Sequence, residues 1–361
     1  MKLIHYYILR LFVKYAFITF LSAISLFLAV DFSERFDDLI EASVTWFEIA
    51  RYFAFKIPSM IKDVAIPVFA ISTLITFEIM AHRREILALY ASGINPNQYA
   101  KIIIVASLVI AVGYLGFTDV VERPLKTQAN TFWLERVKKS FDLSLATKKI
   151  KKGEIWYATR HAIYHIKYYN PQSKSFHGVS IIFLDDSFRI HRKVDATTMI
   201  WDGSRWIAQN AAIVDFGKEG VTLKKIESLP IEIRETPTDF SIFQTSLEDL
   251  PLRDIIHVIF LMQREGVNPR SYLMEITLRL ANASAIAVSI ILVTAIFSKY
   301  SRGSLRSEIK SIIYAIVGFG LFFGLFQVGV GLTSSGMVPM ILGIWGSHVA
   351  ATVIALRLLS S

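Results

Sequence analysis

The sequence predicts an α-helical membrane protein with six transmembrane helices, three on each side of an inserted all-β domain of jelly-roll type. Three observations predict it. Six apolar runs are each long enough to cross a bilayer. Basic residues gather in alternate loops between those runs. The middle third of the chain gives up long runs for short β-prone segments separated by turn residues.

Composition supports the first observation. Of 361 residues, 53% are hydrophobic and 19% charged, and the mean hydropathy is +0.46. A soluble globular chain has about 45–50% apolar and about 25% charged residues. The cysteine count is 0, which excludes a disulfide framework, a thiol nucleophile and a Cys-ligated metal or Fe–S site. The net charge of +9 would suit nucleic acid or an acidic membrane surface. In a membrane protein it belongs in loops that stay inside, so no nucleic-acid partner is expected. The basic, then apolar N-terminus resembles a signal peptide. Its apolar run continues for about 20 residues with no Ala-x-Ala-type site, and it reads as a retained anchor.

A hydrocarbon core about 30 Å thick takes about 20 apolar helical residues. The first span is Leu11 to Val30, with Lys14 near its start, where a lysine can snorkel. Pro58 to Met80 is the second, with a kink expected at Pro67. Ile102 to Thr118, the third, carries no charge. Leu280 to Phe297, Ile312 to Leu332 and Val338 to Leu356 complete the set. An earlier start of the fourth, at Tyr272, would place Glu275 and Arg279 in its first turns.

Loop charges orient the spans. Lys2, Arg10 and Lys14 open the first; His82, Arg83, Arg84 and Lys101 separate the second and third; Lys299, Arg302, Arg306 and Lys310 separate the fourth and fifth; Arg357 ends the sixth. The segment after the first span is acidic, with Asp31, Glu34, Asp37, Asp38, Glu41 and Glu48. The positive-inside rule then puts both termini in the cytoplasm and the long middle segment on the other side. The expected division is 1–121 for the first three helices, with a cytoplasmic helix at about 82–93, then 122–250 for the β domain, and 251–361 for a connecting helix and the last three spans.

Within 122–250, β-prone runs cover 154–157, 162–169, 179–184, 188–194, 198–201, 206–209, 211–216, 221–226 and 230–233. Many short strands at regular spacing indicate a sandwich, jelly roll or barrel. Trp201-Asp202-Gly203-Ser204-Arg205-Trp206 reads as a hairpin with one tryptophan on each arm. A helix is expected from Pro251 to Glu265, with Ser246 and Asp249 as caps, ending at Gly266. Gly93-Ile94-Asn95-Pro96 and Gly266-Val267-Asn268-Pro269 share one punctuation: Gly ends a helix, Asn caps the next, and Pro fits its first turn.

Chemical motifs are scarce. No P-loop, His-Glu-x-x-His or Gly-x-Ser-x-Gly occurs. His161 and His165 stand four apart in a strand-like stretch, too far apart there to share a metal. His348 reads as a packed or hydrogen-bonded residue of the sixth span, and Gly320 and Gly324 as a weak helix-packing motif.

Three features ask for a function. Arg83-Arg84-Glu85-Ile86-Leu87-Ala88-Leu89-Tyr90-Ala91-Ser92-Gly93 composes a short helix between two spans, either a plain connector or an element that docks in a groove of a cytoplasmic partner. Arg35, Lys56, Lys62, Arg123, Lys126 and Arg136 lie near the outer membrane face. They suit phosphate on an amphiphile's headgroup, or pairing with Asp63, Glu122 and Glu135. Phe319, Phe322, Phe323 and Phe326 stripe the fifth span, as ordinary packing or as a wall for acyl chains.

These residues resemble the lipopolysaccharide export permeases, LptF/LptG type, over nearly the whole chain. The carriers are Tyr7-Ile8-Leu9-Arg10, Pro58, Pro67 and the run from Arg84 to Gly93, together with the three-plus-three arrangement around a β insert. Tyr90 departs from the basic or amide residue usual there. Asp31-Phe32-Ser33-Glu34-Arg35-Phe36 looks more like the LptG branch. The resemblance implies a permease of the bacterial inner membrane, with its β domain in the periplasm of a Gram-negative cell. It implies a second permease (LptF or LptG), two copies of the ATPase LptB holding ATP and Mg, and the periplasmic bridge protein LptC. The chain itself would bind no cofactor. Arg83, Arg84, Glu85, Leu87, Leu89, Ala91 and Gly93 would form the ATPase-coupling helix, and the cations and phenylalanines would meet lipopolysaccharide. A different ABC-type lipid or lipoprotein permease, a non-transporting envelope scaffold and a membrane enzyme are the alternatives.

Overall fold

The structure, a computed structural model, describes residues 2–94, 96–137, 155–158, 162–170, 175–185, 189–217, 220–231, 247–264, 268–300 and 305–360. The chain divides into two compact units, Met1–Lys138 with Ile276–Ser361, and Lys139–Glu275.

Six helices are long and apolar enough to cross a membrane; five contain an expected span whole, and the sixth begins at Met340, two residues inside the span expected from Val338. They begin with α1 (Lys2–Glu41) and α2 (Trp46–His82), which have 40 and 37 residues. At 1.5 Å per residue these reach about 60 and 55 Å, roughly twice the hydrocarbon thickness. After a short helix α3 (Glu85–Ala91), α4 (Pro96–Phe117) runs into a π-helical turn (Thr118–Glu122), α5 (Arg123–Phe132) and a second π turn (Trp133–Val137) without interruption. The excess length is encoded in the polar stretch after Val30, where Phe32, Phe36, Leu39 and Ile40 recur at helical spacing. Thr45 and Glu48 form a capping box that starts α2 again.

The ends of these helices far from α3 share a small core of Leu39, Tyr52, Ala129, Trp133 and Val137. Tyr52 lies 5.3 Å from the Trp133 ring, and the Arg35 guanidinium stacks over Trp133 at 4.4 Å. The larger core of the membrane unit surrounds α7 (Arg270–Tyr300), whose Ala285, Ile286, Ile290 and Val293 are buried. Inside α2, which continues through Pro58 and Pro67, the hydroxyls of Ser72, Thr73 and Thr76 donate to carbonyls four residues back. That satisfies polar groups that have no water to turn to.

Helices α8 (Leu305–Ser334) and α9 (Met340–Ser360) touch through glycine. A Cβ on Gly329 would stand 1.9 Å from the Gly343 carbonyl oxygen, and one on Gly343 would stand 2.0 Å from Thr333 Oγ1. The close approach therefore uses Gly329 and Gly343. Gly320 and Gly324, the pair expected from the Gly-x-x-x-Gly spacing, have no neighbour within 4 Å of an added Cβ.

The second unit holds one antiparallel sheet in sequential order: β1 (Ile155–Ala158), β2 (Ala162–Asn170), β3 (Ser175–Leu184), β4 (Ile190–Trp201), β5 (Trp206–Gly217) and β6 (Gly220–Ile231). Among the described residues it is a meander, and the crossovers of a jelly roll are not part of it. The Trp201–Trp206 hairpin is present. Asp202 Oδ1 accepts from the Ser204 and Arg205 amides at 2.8 Å each, and Gly203 takes a φ of +108. Trp206 is fully buried and stacks on Phe176 at 4.2 Å.

Runs 188–194 and 198–201, expected as two strands, meet in the single strand β4, which begins at Ile190, and 206–209 with 211–216 form β5. The apparent breaks mark a crease. Pairing skips the row Lys167, Gly178, Thr197, Asn210 and Glu227 across five strands. Gly178 and Asn210 have positive φ. Buried residues change parity there, from Phe176 to Val179, Met199 to Ala196, and Ala208 to Ala211, yet all belong to one core. Strands β3, β4 and β5 thus bend while their apolar face stays inside. Helix α6 (Leu252–Arg264) follows a turn at Leu247–Asp249, with Ile255, Val258 and Ile259 buried on one face. The expected caps or stops at Ser246, Gly266 and Asn95 lie outside the described residues, as does His161.

Candidate functional site

At one end of the membrane unit, α3 forms a bracket between α2 and α4. Arg84 makes the corner in the left-handed region, with a φ of +59, which costs any residue other than glycine some strain. Glu85, Leu87, Ala88, Leu89 and Ala91 are strong helix formers, with Glu85 at the positive end of the dipole. Gly93 ends the helix at a φ of +75, and Ile94 N–H donates to the Leu89 carbonyl at 3.0 Å, closing a Schellman motif. Ile86 is buried and Leu89 packs against the membrane core. Arg83, Arg84, Leu87, Ala88, Ala91 and Ser92 face outward. Ala88 and Ser92 join the expected coupling residues on that face. Glu85 does not: Tyr7 Oη of α1 donates to its two oxygens at 2.8 and 2.9 Å.

At the opposite end the expected headgroup cations are ion-paired. Arg35 meets Asp31 at 3.0 Å, and Lys56 meets the same carboxylate at 2.5 Å. Lys62 meets Glu122 at 3.0 Å, where Ser59 also donates. Arg123 pairs with Asp119 one turn away, and Arg279 of α7 approaches Asp119 at 3.7 Å. Arg136 meets Glu48 at 3.0 Å. Lys126 is half-buried on α5. Glu122 and Arg123 are buried where the first π turn meets α5, and such turns often mark function. Of the counter-ions expected from the sequence, Glu122 is used; Asp31 and Asp119 were missed although each stands four residues from its arginine, a spacing that helix pairing favours, and Glu48 was missed because a pair between separate helices leaves no local signal.

The four phenylalanines of α8 do not form one outward wall. Phe322 and Phe326 are buried and meet the His348 ring edge-on at 5.3 and 4.9 Å. Phe319 and Phe323 are half-buried and stack on each other at 5.7 Å. The exposed face is aliphatic, with Ile313, Ile316, Val317, Leu321, Leu325 and Val328. His348 is a packing residue whose ring nitrogens lie 3.0 Å from the Ala281 carbonyl oxygen and 3.1 Å from that of Ile344. Among the described residues no group of three His, Asp or Glu side chains could hold a metal.

An apolar six-helix unit, an inserted sheet and a short bracket helix define a polytopic membrane protein. The chain matches the family model of the Lipopolysaccharide export system permease LptF/LptG over residues 6–361 and belongs to that family. It is a permease of lipopolysaccharide export and has no ATPase site of its own, hydrolysis being the task of a separate subunit. No individual curated protein matches the chain.

Proposed function

We propose that this permease, of the LptG branch, sits in the inner membrane with α3 and both termini in the cytoplasm and the β domain in the periplasm. It pairs with a second permease and two LptB subunits and hands lipopolysaccharide to LptC. The observation that carries this reading is the outward face of α3. Leu87, Ala88 and Ala91 are exposed at the membrane edge, where a smooth apolar ridge suits a groove on a partner. Lipid acyl chains run along the aliphatic face of α8 with Phe319 and Phe323 beside it. Arg136, 65% exposed with one counter-ion, and Arg35 are the cations best placed to turn to headgroup phosphate, with Lys56 and Lys126 near them. Lys62 ties α2 to Glu122 of the first π turn, and Arg123 is engaged by Asp119 of its own helix.

The test is copurification. The tagged chain is co-expressed with its candidate ATPase and partner permease, and hydrolysis is measured with and without lipopolysaccharide. Recovery of the ATPase with lipid-sensitive turnover is the expected outcome. Leu87→Glu, which puts a charge on the ridge, abolishes that recovery. A folded chain that recovers no ATPase refutes the coupling role and favours a scaffold.

A further inference from the structure

We propose that α6 is a lipid-contacting helix, whose outward face rests on anionic phospholipid of the phosphatidylglycerol type at the leaflet where α7 enters the membrane. Among its 13 residues the exposed ones are Arg253, Ile256, His257, Phe260, Gln263 and Arg264. Spacings of three and four put them on one stripe. Ile255, Val258 and Ile259, on the opposite side, are buried. The helix is therefore apolar on two sides. Phe260 is 67% exposed and Ile256 41%. They lie one turn apart in the middle of the outward stripe, with an arginine beyond each end. Left in water, that apolar area contributes nothing. A leaflet satisfies both parts of the stripe. Ile256 and Phe260 enter the boundary of the acyl layer, while the arginines lay their stems along it and carry their guanidinium groups to phosphate.

Charge and chain length both point to lipid. The exposed stripe holds no carboxylate, and Arg270, the first residue of α7, adds a third exposed arginine. None of Arg253, Arg264 and Arg270 forms an ion pair among the described residues, whereas Arg35, Lys62 and Arg136 all do. Guanidinium is suited to two-pronged recognition of phosphate. Arg264 stands six positions before Arg270, so even an extended link holds the two within about 20 Å. Since α7 is a membrane span, α6 cannot leave the neighbourhood of that leaflet. Two apolar side chains one turn apart make a shallow insertion, which fits a resident phospholipid and not the extraction of a whole acyl chain.

The chain has no cysteine, so Gln263→Cys places a single spin label on the stripe. The labelled full chain is reconstituted in vesicles of phosphatidylcholine alone, or of phosphatidylcholine mixed with phosphatidylglycerol. Collision of the label with a water-soluble nickel chelate is expected to fall about fivefold or more in the mixed vesicles. Arg253→Gln combined with Arg264→Gln restores most of the collision rate, and so does Phe260→Ser. All four substituted positions are exposed, so the apparent Tm in detergent is expected to match that of the parent. A label equally open to the chelate in both vesicles would overturn the proposal, as would protection that survives loss of both arginines. Protection that appears only when lipopolysaccharide is added gives the stripe to the substrate instead. Protection already complete in detergent, once the partner permease is present, gives it to a protein. Either of these results refutes the phospholipid contact.

Discussion

Replacing Lys62 with methionine separates a structural ion pair from a lipid contact. Glu122 Oε1 accepts from Lys62 at 3.0 Å, and the Glu122 side chain is 2% exposed against 31% for Lys62. Removing the lysine strands a buried carboxylate with Ser59 as its remaining neutral donor at 3.0 Å. Losing one partner of a fully buried pair costs about 3–5 kcal/mol, and an exposed pair contributes about 0.2–1 kcal/mol. With one side buried and the other a third exposed, Lys62→Met is expected to cost about 2 kcal/mol. That corresponds to a fall of about 4–8 °C in apparent Tm for a unit of this size. Adding Glu122→Gln removes the stranded charge and recovers more than half of the loss. The assay is thermal unfolding of the full chain in lipid-free detergent. A Lys62→Met chain as stable as its parent would refute the argument and return Lys62 to the headgroup site.

Three further expectations follow from packing and charge. Gly343→Leu, which forces a side chain into the α8–α9 contact 2.0 Å from Thr333 Oγ1, lowers stability by about 3 kcal/mol or more; a thermal scan that leaves it unchanged sinks the close-approach account. Trp206→Ala empties the centre of the sheet core and costs about 3–5 kcal/mol, read by denaturant titration of tryptophan fluorescence. Amide hydrogen bonds from Ser204 and then Arg205 hold the Asp202 carboxyl down to about 2. Its folded value lies below its unfolded one, so its contribution is whole above about pH 4 and lost as pH falls towards 2. Asp202→Asn removes that pH-dependent part, measurable as hydrogen exchange at 201–206 relative to the parent.

The spans were legible because a 20-residue apolar run has few other uses, and the hairpin because Asp-Gly between two tryptophans specifies its own turn. The continuation of α1 past Val30 was written in the spacing of Phe32, Phe36 and Leu39, but an acidic segment after a span reads first as a loop. Which glycines touch was not legible. Gly320 and Gly324 have the familiar spacing, yet contact depends on the facing helix, and Gly329 meets Gly343 from another segment. The charges at the far end were visible as residues, and pairing with Glu122 was one reading of them, but which cation takes that carboxylate was not, since Lys62 and Glu122 lie 60 positions apart; the i,i+4 pairs Arg35–Asp31 and Arg123–Asp119 were within reach of helical spacing. The link from Tyr7 to Glu85 was hidden for the same reason.

The crease in the sheet acts as a ruler. Strands β2 to β6 cross it at 167, 178, 197, 210 and 227, one residue from each strand in one row. Every arm between a turn and that row has a fixed length, while the turns themselves sit outside the measurement. Lengthening the turn after Asp202 changes nothing in the row. Deleting one residue between Trp206 and Asn210 shifts one crossing and turns the outer arm of β5 inside out, taking Trp206 and Ala208 to the wrong face. Homologues that keep this bend should therefore differ in turn length and agree, strand by strand, in the count from turn to crease.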